Sequence, residues 1–141
     1  MNDHDVMHEL QHRCRRDHQA WINGDGTGYA LPDDGTIMGG IGGYSFGGEV
    51  TAARQGEVAA QWQSGTGEVE FLNDAVTDEF AWLTFIERSR VLFRGDPNEQ
   101  RWELRVTEVF RRRDGGWERV HRHADPLVER RPLQDVAALL S

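Results

Sequence analysis

The sequence predicts an α+β domain: helices first, then long antiparallel strands that curve around them. Three observations carry this. Residues 3–23 and 49–63 place apolar side chains at helical spacing, whereas from Gly67 onward the chain alternates in strand fashion. The stretch Trp102–Asp125 then reads as two long strands joined by Arg111-Arg112-Arg113-Asp114-Gly115-Gly116. A strongly bent sheet with helices on its concave side leaves a conical cavity. At 141 residues the chain is read as one domain, 1–141, long enough for a core.

Within 3–23, Val6, Leu10, Cys14 and Trp21 form one stripe with Met7 beside it, and Asn23-Gly24 stops the helix. His4, His8 and His12 recur every fourth residue on another side, read as an exposed polar stripe. His18 lies nearer the apolar stripe and points inward. The loop Gly24–Tyr29 leads to a short element ending near Leu31, Asp33-Asp34-Gly35 is a turn, and Thr36-Ile37-Met38 a short strand. The glycine-rich run Gly39–Gly48 fails as a phosphate loop. It has no lysine, and Ser45 stands where a dinucleotide fingerprint needs its third glycine. It is read as a flexible connection and a pocket rim, with Tyr44 and Phe46 its only large side chains.

In the second helix, Val50, Arg54, Val58 and Trp62 lie four apart on one stripe. Arg54 either snorkels to the edge or enters a cavity. Strands follow at Glu68–Val76 and Phe80–Phe93; on the second, both faces start apolar and end charged. Gly95-Asp96-Pro97-Asn98 turns into the next strand. Pro132-Leu133 to Leu140 is a short amphipathic docking helix. Large apolar residues on the convex face of the sheet imply a second subunit there.

On the strand 102–110, Trp102, Leu104, Val106, Glu108 and Phe110 share one face. A buried carboxylate needs water, a cation or a ligand. The turn decides which. A two-residue Asp114-Gly115 turn sets Glu108 opposite His121, on a face with Trp117, Arg119, His123 and Asp125. A three-residue Arg113-Asp114-Gly115 loop with a glycine bulge shifts the register and gives Glu108 the face of Val120, Arg122 and Ala124. The sequence permits both. Two of His4, His8 and His12 have the spacing to hold a metal, although an exposed polar stripe is the favoured reading. His121 and His123 form a second such pair, with Asp125 the only nearby third ligand in sequence. Packing and hydrogen bonding is the favoured role for this second pair, and no metal site is assigned.

The net charge of −8 and the pI near 5.2 argue against nucleic acid and against an anionic membrane surface as partners. Arginine carries all the positive charge. The single cysteine, Cys14, excludes an internal disulfide and a cysteine zinc cluster. No apolar run approaches a membrane span and the N-terminus has no secretion-signal core, so a cytoplasmic protein is expected.

Trp21-Ile22-Asn23-Gly24-Asp25 followed by Tyr29, then Thr36-Ile37-Met38, then the hairpin Val109–His123 resemble the SnoaL-like branch of the nuclear transport factor 2-like superfamily. The pattern is similar to the association domain of calcium/calmodulin-dependent kinase II and its stand-alone bacterial relatives. The resemblance implies a cystatin-like α+β barrel, a cone of curved mixed or antiparallel sheet closed by N-terminal helices, dimeric through the sheet. It also implies a ligand pocket reached by Tyr29, by Arg54, and by strand positions at or near Glu87, Glu108 and Ala124, which favours the register that pairs Glu108 with Arg122. Where the kinase domains carry arginine, this chain has Glu87 and Glu108, so a carboxylate-binding pocket is not carried over.

These readings combine into one expectation: a homodimer that binds a small apolar or carbonyl-containing molecule. Tyr29, Tyr44, Arg54, Trp62 and Arg122 are the candidate ligand contacts, although Trp62, Trp82, Trp102 and Trp117 also suit core and interface. Its sharper form is an isomerase, cyclase or dehydratase that needs no cofactor, with Glu108 and Glu87 as the acid–base pair. The competing forms are a non-catalytic association or ligand-sensing module, and a buried salt-bridge network in which both glutamates only satisfy the core.

Overall fold

The computed structural model describes residues 2–39 and 42–140. Helix α1 spans Asp3–Trp21, with Asn2 accepting from the Asp5 amide as its N-cap. A single 3-10 turn at Thr27–Tyr29 leads to strand β1, Thr36–Gly39, and strand β2, Tyr44–Phe46. Helix α2, Gly48–Ala59, precedes the long strands β3, Trp62–Val76, β4, Phe80–Phe93, β5, Gln100–Arg113, and β6, Gly116–Pro126. A short α3, Leu133–Ala138, ends the described chain.

The six strands form one open sheet in the order β2-β1-β6-β5-β4-β3. It is mixed, because β1 runs parallel to β6 while every other pair is antiparallel. The expected α+β architecture is therefore present, and β4 has the bounds its sequence pattern predicts.

The hairpin between β5 and β6 combines parts of both expected registers. Its turn is two residues long: Arg113 pairs with Gly116, and Asp114 and Gly115 take φ of 52° and 78°. Positive φ at both central residues fits the twist of a tight hairpin. The shift comes farther along, where Phe110 pairs with Arg119 but Val109 pairs with His121. Val120 is the extra residue of a β-bulge. Beyond it Glu108 faces Arg122, so the pairing implied by the resemblance holds, produced by a bulge within β6 rather than by a longer loop.

Other expectations are corrected. The second helix ends at Ala59, and Trp62 opens β3 instead of closing the helix. The buried stripe of α2 is Thr51, Gln55 and Ala59, one residue away from the predicted Val50, Arg54 and Val58. Close backbone approach explains the rotation: a Cβ on Gly26 would lie 2.7 Å from the Gln55 carbonyl oxygen, so only glycine lets the loop meet this face. The run Gly39–Gly48 contains β2, and its residues 40 and 41 lie outside the described residues. α3 buries none of its side chains.

Two apolar clusters fill the space between helices and sheet. Val6, Met7, Leu10 and Cys14 of α1 pack on Leu83, Phe85, Val106 and Phe110. At the other end Trp21, Ile22 and Tyr29 pack on Ala59, Trp62 and Val91. The inward face of β4 passes from Phe85 in the first cluster through Glu87 and Ser89 to Val91 in the second, with all four buried. A buried polar belt therefore separates the two apolar regions.

Candidate functional site

The belt is an ion network supplied by four elements. From α1 come Asp17 and His18, from β4 Glu87 and Ser89, from β5 Glu108, and from β6 Arg119 and Arg122, all buried. Glu108 accepts from Arg119 Nε through Oε1 and from Arg122 Nη1 through Oε2, both at 2.8 Å. Arg122 also donates to both oxygens of Glu87, at 3.1 and 2.8 Å. Arg119 Nη1 continues to Asp17 Oδ2 at 2.9 Å and to the Gly28 carbonyl at 2.7 Å. His18 Nε2 lies 2.7 Å from Ser89 Oγ, with Nδ1 3.4 Å from Glu87.

Tyr29 lies under both guanidiniums, its ring centroid 4.9 Å from Arg119 and 4.6 Å from Arg122. These are cation–π contacts, and the tyrosine is 1% exposed. Gly28 is obligatory beside it: a Cβ there would stand 2.5 Å from Asp17 Oδ1.

Burial on its own raises the pKa of Glu108, but Arg119 and Arg122 outweigh it and hold the carboxyl below its ordinary value. Burial also lowers Arg122, and Glu87, Tyr29 and Glu108 more than reverse this, so its charge is permanent. The thiol of Cys14, 3.4 Å from Glu108, is pushed up by burial and by that carboxylate. Burial pulls His18 below the usual histidine value against the attraction of Glu87.

Beside the network lies a cavity of about 520 Å³. One wall is aromatic: Trp62 touches Trp21, Phe93 and Trp102 with ring centroids 5.3, 4.6 and 5.0 Å away. Ile37 and Ala124 from the sheet and Val58 from α2 add apolar surface. Gln55, Gln61 and Ser45 are polar lining residues, and Arg54 and Arg122 are the charged ones among the described residues. Arg122 thus belongs to both site and network.

The sequence-predicted contacts separate accordingly. Tyr44, Arg54, Trp62 and Arg122 line the cavity. Tyr29 does not reach it; it is enclosed by the second apolar cluster and the two arginines. Glu87 and Glu108 meet each other's partner Arg122, yet both are 0% exposed and neither lines the cavity. Arg54 partners neither of them; it points outward and sits 3.6 Å from Glu57. The polar stripe of α1 contributes His4 and His8 to a separate shallow surface depression.

His121, His123 and Asp125 occupy the outer face. His121 is bonded to Thr36 at 2.7 Å, and His123 is 3.7 Å from Asp125. Among the described residues no group of three or more His, Cys, Asp or Glu side chains is placed to hold a metal ion.

Sequence reasoning missed Asp17 and Arg119. Asp17 was detectable: Val6, Leu10, Cys14, Asp17 and Trp21 follow one helical stripe at steps of three and four. Arg119 shared the face of Glu108 in the two-residue-turn register, but that Arg122 joins it there was not readable, because that depends on the Val120 bulge.

A sequence model of the SnoaL-like domain matches residues 29–129. No curated protein matches the chain. Among solved structures, a candidate dehydratase of the nuclear transport factor 2-like family from Streptomyces avermitilis is similar, with TM-score 0.76 and 15% identity over 90% of this chain and 99% of that one. A ketosteroid isomerase-like protein from Erwinia carotovora atroseptica gives TM-score 0.74 at 13% identity, covering 91% and 99%. A candidate calcium/calmodulin-dependent protein kinase type II association domain from Thiobacillus denitrificans gives 0.57 at 20% identity, covering 89% and 92%. At these identities the likeness is one of fold.

Proposed function

This chain belongs to the SnoaL-like domain family, and from that premise we propose that it binds a small, largely apolar molecule in the cavity beside Arg122. The cavity itself carries the reading. Its volume of about 520 Å³ falls within the range of small-molecule sites, and an apolar wall with a few placed polar groups is their usual composition. The ion network supports it from behind, since two carboxylates hold Arg122, a lining residue of the cavity, in place.

Titration with the neutral fluorescent probe N-phenyl-1-naphthylamine tests this. One probe should bind per chain, and Val58→Trp, which fills the cavity from α2, should abolish binding without lowering the unfolding midpoint. A wild-type chain that does not bind, or a filled variant that binds equally, rejects the reading.

Acid–base turnover by Glu108 and Glu87 is the second reading, favoured by one observation: both carboxylates contact the same cavity-lining arginine. A base works best with a pKa near the operating pH, whereas Glu108 is held low, so binding is the reading better carried. Deuterium exchange next to the carbonyl of cyclic ketones, lost in Glu87→Gln and Glu108→Gln variants that remain folded, would restore the catalytic reading.

A second copy of the chain is the proposed partner of the sheet's outer face. Phe80 and Trp82, on the face of β4 opposite its buried residues, are 44% and 36% exposed, and Leu72 of the neighbouring β3 is 60% exposed; apolar side chains left in water on a sheet face are where a second subunit would pack. Sedimentation should give a dimer that Trp82→Glu dissociates; a wild-type monomer at micromolar concentration removes the proposal. Among the described residues no helix is long and apolar enough to cross a membrane.

A further inference from the structure

We propose that the C-terminal helix α3 is a lid that folds back over the mouth of its own chain's cavity when a ligand fills it, laying Leu133, Val136 and Leu140 against the apolar rim. This rests on the binding reading above and goes beyond it, because it gives a role to a segment that neither the core nor the ion network uses.

The first observation is the helix itself. Leu133, Val136 and Leu140 recur at steps of three and four, so they form one stripe. They are 86%, 46% and 84% exposed, and α3 buries none of its side chains. A helix of six residues takes its stability from the packing of its apolar face rather than from propensity. That face is therefore built for a surface the helix meets in another state of the chain.

The second observation is where the helix is tethered. Strand β6 ends at Pro126, a lining residue of the cavity. The chain then runs beside β5, with the Leu127 amide donating to the Glu103 carbonyl at 2.9 Å. Trp102, Leu104, Pro126, Leu127 and Val128 line a shallow depression there, and the first three of them line the cavity as well. An apolar track thus leads from inside the cavity to the root of the tether. From Val128 to Leu133 the extended chain covers at most about 18 Å.

The far rim is within that reach. Tyr44 lines the cavity and is 76% exposed, which places it at the mouth. Met38 pairs with Tyr44 on one side and with His123 on the other, so Tyr44 stands two strand spacings from β6, about 10 Å away. Leu133 to Leu140 spans about 10 Å along a helix, enough to cross the opening from β6 to β2. The tether favours the chain's own cavity over that of a second copy, because a short linker holds the helix at an effective concentration on the order of millimolar. An empty cavity offers the stripe few contacts, and ordering the tether costs conformational entropy. A ligand fills the void and completes the surface, so closing and binding favour each other.

Hydrogen exchange of the full chain with and without saturating N-phenyl-1-naphthylamine tests this, together with the release rate of the probe. Exchange of the backbone amides of residues 133–140 should slow about tenfold when the probe is added. Leu133→Ser combined with Leu140→Ser should cancel that protection and speed release of the probe about tenfold. The unfolding midpoint of the ligand-free chain should stay unchanged, since neither side chain is buried there. Exchange at 133–140 that the probe does not alter, or a double variant that releases the probe at the wild-type rate, overturns the lid and leaves the binding reading standing. Protection that disappears on dilution, with the probe still saturating, assigns the helix to a second copy and overturns the lid as well. If the probe does not bind, both readings fall.

Discussion

Arg119 and Arg122 stand three residues apart on one strand, yet both donate to Glu108, one to each of its oxygens at 2.8 Å. In a regular strand residues three apart point to opposite faces. The bulge at Val120 turns both inward and makes Glu108 the junction of the network.

Glu108→Gln should therefore act first on stability. It removes the charge shared by two buried guanidiniums and leaves Arg119 with Asp17 alone among the described carboxylates. Breaking a buried pair costs about 3–5 kcal/mol, and Arg122 retains Glu87, so a loss near the lower end is expected. Urea unfolding of the variant at neutral pH measures it; a loss below about 1 kcal/mol would mean the network is not a stabilising junction.

The network also fixes the acid side of the pH–stability curve. His18 has its pKa lowered by burial, so the unfolded chain takes up a proton that the folded chain refuses. Stability then rises with pH between the folded value and the ordinary value of 6.5, and falls as pH drops through that window. Glu108, whose folded pKa is depressed, contributes fully above the ordinary carboxyl value of 4.5 and loses its contribution at still lower pH. His18→Gln should flatten the upper part of the profile and leave the lower part. An unchanged slope in thermal scans just below pH 6.5 would contradict the burial of a neutral His18.

Gly67 covers the His18–Ser89 pair from β3. A Cβ there would stand 2.5 Å from Ser89 Oγ, 2.9 Å from the Arg88 carbonyl and 3.1 Å from His18 Nε2. Gly67→Ala should cost about 1–3 kcal/mol by overpacking. Adding Ser89→Gly should recover part of that, since the hydroxyl can be removed and the carbonyl cannot. A double-mutant cycle with no coupling would place the strain elsewhere.

Cys14 is 1% exposed and its thiol pKa is raised by burial and by Glu108. A thiolate is the reactive form, so the native protein should resist a disulfide reagent such as 5,5′-dithiobis(2-nitrobenzoate), reacting only as fast as it opens. Rapid modification of the folded chain would show that α1 lifts from the sheet far more often than its packing implies.

The alternation of residues by itself marked β4, the β5–β6 pair and β3 from Glu68 onward, but not β2 or the first residues of β3. On β4, Ala81, Leu83 and Phe85 are buried beside the exposed Phe80 and Trp82, as the period of two requires. The helical stripe of α1 was equally legible, because Val6, Leu10, Cys14 and Trp21 repeat at the turn of a helix. The candidacy of Glu87, Glu108 and Arg122 was visible as charge within apolar faces.

Only the tertiary structure decided how these charges are used. A single bulge residue, Val120, sets which side of β6 faces the helices, and no local propensity marks it against a longer turn. The rotation of α2 followed from the approach of Gly26 to Gln55, a contact between segments far apart in sequence. The cavity and the network then divide what the sequence placed together: Arg122 reaches both, Glu87 and Glu108 lie behind it, and Arg54 faces solvent at the cavity rather than the carboxylates. Alternation fixes faces within a strand, but side chains from α1, β4, β5 and β6 meet only when packing sets their register and distance.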